Sequence, residues 1–156
     1  MLLFVVDNSK ESYDLQNEVF SQLNSQLKDA ASEGSELQNK SDDLGFTDIS
    51  RAEQPELLKL ANETDSNQIL IIEILPVKTD FDQILFYNAI KAEATLKIRL
   101  YDAERKQYML AEDASGIGVN KTYVPYSSVG KKGAVMKAVN KAIENVVQKV
   151  NEIQTA

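Results

Sequence analysis

The sequence predicts a single α/β domain: a mixed sheet of about five strands with helices on both faces. Three observations carry that expectation. Leu2–Val6 and Gln68–Val77 are apolar at consecutive positions, the pattern of strands buried on both faces. Helical periodicity fills much of the chain between them and returns in a long final stretch. A cleanly alternating segment, Ala92–Asp102, adds a half-exposed strand. At 156 residues the chain can bury one core without cross-links, and no repeat or second domain is legible, so the domain spans 1–156.

The first strand is stopped by Asp7, Asn8 and Ser9. Leu15, Val19, Leu23, Leu27 and Ala31 recur every four residues and predict a helix over 12–31. Residues 32–45 are rich in Ser, Asp and Gly and read as a mobile loop. A second short strand is expected at Phe46–Ser50, then a helix opened by Pro55 and running to Glu63. Strand, helix, strand, helix, strand implies three parallel strands with right-handed crossovers. After Ala92–Asp102, the connection 103–106 permits a hairpin into a strand at 107–119, where Gly116 and Gly118 signal a bulge or a close backbone approach. Val135, Val139, Ala142, Val146, Val150 and Ile153 form the stripe of a final helix over 131–153. The expected order is βαβαβββα, or βαβαββα.

Composition narrows the chemistry. The chain has no Cys and no His, which removes thiolate nucleophiles, disulfides, imidazole bases and the commonest metal ligands. No cofactor and no metal are expected. Net charge is −7, spread unevenly: residues 1–66 carry 14 acids and 5 bases, residues 67–156 carry 10 acids and 12 bases. Arg51, Arg99 and Arg105 are the only arginines, so a nucleic-acid partner is not expected. The lysines of the last helix read as its solvated face. No run approaches the ~18 apolar residues of a membrane span. Met1–Val6 is too short for a signal peptide. An extracytoplasmic setting would therefore need a segment upstream of Met1, and a cytoplasmic one is the alternative.

Motifs with catalytic echoes are weak. Gly116–Thr122 resembles a phosphate loop, but Ser115 and Asn120 occupy both required glycine positions. Glu73 lies inside an apolar strand with Asp7 as a potential partner carboxylate; the plainer reading is a Glu near a sheet margin, paired with a Lys or capping a helix. Asp42-Asp43 and Asp80/Asp82 lack the ligand set of a calcium loop.

Topology supplies the sharper expectation. If the parallel strands end at one edge, the hairpin returns there too, bringing together loops 78–88 and 120–130. Phe81, Phe86 and Tyr87 in the first, and Tyr123, Tyr126 and Ser127 in the second, would lie beside Asp7 and Asn8. Aromatic residues gathered in loops mark contact surfaces. The expected role is non-enzymatic: binding a protein partner, or self-association. The alternative is a small-molecule site, or a hydrolase using carboxylates and Ser, with Ser127, Ser128 and Lys131 available to an anion ahead of the last helix.

Three segments carry a family resemblance: LLFVVDNS (2–9), LLKLANETDSNQILIIEILPV (57–77) and ATLKIRLYDAERKQYMLAEDASG (94–116). With the element order they resemble the small α/β domain of bacterial envelope proteins: the CsgG-type curli-export component, LpoB-type activators of penicillin-binding proteins and the amino-terminal domain of TolB. Uncharacterised secreted proteins consisting of this domain alone are also similar. The resemblance implies an extracytoplasmic, non-enzymatic role and supplies no catalytic residues.

Overall fold

The computed structural model describes residues 1–27, 45, 48–84, 86–123 and 130–156. Strand β1 (Leu2–Asp7) leads to helix α1 (Leu15–Gln26), a 3-10 turn (Ile49–Arg51) and helix α2 (Gln54–Thr64). Strands β2 (Gln68–Ile74), β3 (Lys78–Ile84), β4 (Tyr87–Asp102) and β5 (Gln107–Thr122) follow, and helix α3 (Lys131–Thr155) closes the chain. The expected mixed five-stranded sheet with helices on both faces is observed.

β4 is its spine. One side of β4 pairs along its length with β5; the other pairs first with β3 and then with β2. β2 and β3 thus lie end to end along β4, interrupted around Pro76. Ile74 faces Leu96 and Lys78 faces Glu93, so three residues oppose two. That bulge, where Pro76 has no N–H to give the ladder, inverts which residues face which side. β1 pairs with β2 in parallel, Leu2 opposite Ile69 through Asp7 opposite Ile74.

Two of the expected elements are corrected. The strand expected at Phe46–Ser50 is absent where the chain is described: Ile49–Arg51 is a 3-10 turn, and residues 46 and 47 lie outside the described residues. The Asp48 carboxylate accepts from the Ser50 amide at 2.9 Å and from its hydroxyl at 2.6 Å, which turns the chain. Arg99 of β4 then takes the carbonyls of Ile49 (3.2 Å), Ser50 and Ala52 (3.0 Å), acceptors a ladder would have needed. Only β1 and β2 are therefore parallel among the described strands. The loop expected at 78–88 is instead strand β3 and the turn into β4. Its alternation of charged and uncharged residues reads as polar loop until β4 is there to pair with it. The expected helix end at 28–31 and the loop over 32–44 lie outside the described residues.

Side-chain alternation sorts the core into two layers. Ile72, Ile74, Leu96, Ile98 and Leu100 face α1 and α3, which bury Leu15, Val19, Leu23, Val135, Val139 and Val146 against them. Ile69, Ile71 and Tyr101 face the other way, onto Ile49, Leu57 and Leu60. The two glycines of β5 have a specific task. A Cβ on Gly116 would sit 2.2 Å from the Ala138 carbonyl, and one on Gly118 2.1 Å from that of Ala134. Glycines on the strand and alanines on the helix let α3 lie directly on β5. The close backbone approach expected from Gly116 and Gly118 is observed.

Candidate functional site

The molecule has a step in its outline. β1 stops at Asp7, in register with Ile74, while β3, β4 and β5 continue well past it. Tyr87 lies nine residues further along β4 than Leu96, the partner of Ile74, or roughly 30 Å at the usual rise. Beyond the step the sheet is a three-stranded ribbon: β3, the first half of β4 and the last third of β5.

The step's floor is built by β1's exit. The Asn8 amide donates to the Ile74 carbonyl at 2.9 Å and its side chain to Glu73 Oε1 at 2.8 Å. The Asp7 carboxylate accepts from the Ser9 amide at 2.9 Å, and the Ser9 hydroxyl from the Glu11 amide at 3.2 Å. Asp7 aligns with Ile74 and Glu73 with Val6, so the two carboxylates leave opposite faces of the sheet. Lys97 stands opposite Glu73. Lys131, considered for anion binding, is engaged by Glu11 at 2.9 Å.

The ribbon's tip gathers aromatics. Phe81 lies in β3, Phe86 in the turn, Tyr87 at the start of β4 and Tyr123 just past β5. The Tyr87 and Tyr123 rings are 6.1 Å apart and tilted by 59°, and Lys121 Nζ lies 5.2 Å from the Tyr87 ring centre. Phe86 is 79% exposed, Tyr123 71% and Phe81 58%. Tyr126, Ser127 and Ser128 lie outside the described residues. The structure thus groups Phe86, Tyr87 and Tyr123, and sets Asp7 and Asn8 about 30 Å away at the step, because β3 and the bulge carry the hairpin beyond the sheet's edge.

Sequence reasoning missed Ile117 and Val119, 54% and 38% exposed on the face of β5 away from α3. The signal was present: with Gly116 and Gly118 turned toward the helix, Ile117 and Val119, which alternate with them, must turn outward. Arg99 was missed too. It holds the 3-10 turn to β4 and comes within 3.4 Å of the Tyr108 hydroxyl. Beside it, residues 50–55, Arg99 and Tyr108 line an open cleft of about 500 Å³. Hydrogen bonds from Ser50, with Arg51 and Arg99 nearby, hold the Asp48 carboxyl below its ordinary range despite the opposing cost of burial. Among the described residues, no three acidic side chains are grouped to hold a metal, and no helix is long and apolar enough to cross a membrane.

No family model matches the chain, and no curated protein matches it. Solved structures share its fold. Lipoprotein GNA1162 from Neisseria meningitidis superposes with a TM-score of 0.56 at 16% identity, over 97% of this chain and 96% of that one. Protein CT253 from Chlamydia trachomatis gives 0.52 at 15% identity, over 96% and 94%. The C-terminal domain of LpoB from Escherichia coli gives 0.46 at 12%, over 73% and 80%. This chain shares its fold with lipoprotein GNA1162.

Proposed function

We propose that this chain is a non-enzymatic module of the bacterial cell envelope that makes protein–protein contacts through its three-stranded ribbon. One observation carries the reading. The large apolar side chains exposed among the described residues are Phe81, Phe86, Ile117, Val119 and Tyr123, and every one belongs to the ribbon. They stand on both faces of the ribbon, and exposed apolar area gathered on one projecting segment is the mark of a surface that is covered in use. The fold shared with a lipoprotein supports the envelope setting, and the separation of Asp7 from Glu73 across the sheet weighs against carboxylate catalysis.

A photo-crosslinking residue placed at Phe86, in cells that express the protein, tests this against one placed at Lys59 on α2. Discrete protein adducts at position 86, with none at 59, are expected. Equal labelling at both positions overturns the reading. The double variant Phe86→Ser, Tyr123→Ser should fold normally, both side chains being exposed and the lost Tyr87–Tyr123 ring contact costing about 0.5–1.5 kcal/mol.

A further inference from the structure

The ribbon has two long edges, and the molecule treats them differently. On β5, α3 reaches over the edge: Lys137 Nζ donates to the Val119 carbonyl at 3.1 Å and Asn145 to the Ser115 carbonyl at 2.8 Å. Acceptors that could template another strand are thereby occupied. β3 is the opposite case. Among the described residues it pairs only with β4, and Lys78 through Gln83 are all exposed.

We propose that β3 pairs antiparallel with β3 of a second copy of this chain, across a two-fold axis through Asp80. This deepens the reading of the ribbon as a contact surface and rests on it. Two arguments select a second copy. The first is shape. β1 ends where β3 begins, leaving a step one strand wide beside β3 in which, among the described residues, no strand pairs. A two-fold partner has the same step inverted, so the ribbon of each copy enters the step of the other. The tip of one, with Phe86, then descends toward the Asp7–Asn8 floor of the other.

The second argument is charge, and it sets the register. Lys78, Asp80 and Asp82 share one face of β3, with Thr79 and Phe81 on the other. Pairing centred on Asp80 sets Lys78 opposite Asp82 of the partner subunit, twice by symmetry, against a single contact between the two copies of Asp80. On the other face Thr79 meets the partner's Phe81, and the two Phe81 rings become diagonal neighbours within aromatic reach. Centring on Phe81 would set Asp80 against Asp82 of the partner subunit twice and leave Lys78 without an acid. The chain's charge of −7 does not oppose the contact locally, because Lys78, Lys91 and Lys121 balance Asp80, Asp82 and Glu93 on this face of the ribbon.

Two variants with the same change in net charge test this by sedimentation equilibrium on the whole chain. Asp82→Asn removes both favourable pairs and should weaken the dimer roughly 2- to 30-fold. Asp80→Asn removes the one unfavourable contact and should tighten it roughly 2- to 5-fold. Opposite shifts support the proposal. Shifts of the same sign, or a wild-type chain that stays monomeric at hundreds of micromolar, overturn it. A dimer that ignores both aspartates but dissociates in the Phe86→Ser, Tyr123→Ser variant overturns strand pairing while leaving the ribbon reading intact. The crosslinking at position 86 judges that reading separately.

Discussion

The two ends of β4 are solved by different physics. From Leu96 to Asp102 the strand is enclosed: β2 on one side, β5 on the other, α1 and α3 over one face, α2 and the 3-10 turn over the other. From Tyr87 to Glu93 the same strand has lost β1, β2 and the second helical layer. What remains is a ladder, the flank of α3 over one face, and charges in cross-strand register on the other. The root is held by buried apolar area. The ribbon is held by pairing and by α3, and its outer surface is left exposed.

The largest effect is expected at the root. Leu96 is fully buried between the helices and the sheet, and Leu96→Ala should cost about 2–5 kcal/mol in denaturant titration. A loss no greater than that of the ribbon variants would erase the distinction between the two ends. Gly116→Val probes the junction between them. Its side chain would enter the backbone of α3 at Ala138 and Ala142, and overpacking of about 1–3 kcal/mol is expected, read as a lower Tm. A neutral result would mean that α3 is not seated on β5.

The smallest effect is electrostatic and belongs to the root's second layer. With the Asp48 carboxyl held low in the folded chain, its contribution to stability is complete above the unfolded value, near pH 4, and disappears as pH falls through the lower folded value. The advantage of wild type over Asp48→Asn should therefore be constant above about pH 5 and shrink in acid. An advantage that grows on acidification would contradict the assignment.

The root was largely legible in the sequence, because its information is local. Two doubly apolar runs, a four-residue helical period and an alternating strand specify buried strands, amphipathic helices and a half-covered sheet whatever their partners. β3 and the 3-10 turn were not legible, since both depend on distant groups. Lys78–Gln83 has the composition of a loop and becomes a strand because β4 offers it a ladder. Residues 49–51 turn because Asp48 caps them and Arg99, about fifty positions away, takes their carbonyls.

By itself, the sequence determined the mixed α/β class, the close backbone approach at Gly116 and Gly118, and the absence of thiol and imidazole chemistry. Only the tertiary structure decided where the loop aromatics stand. Strand ends are set by which neighbours run out first. Here β1 stops at Asp7 while β3 goes on, and Tyr87 and Tyr123, expected beside Asp7 and Asn8, are carried about 30 Å beyond them.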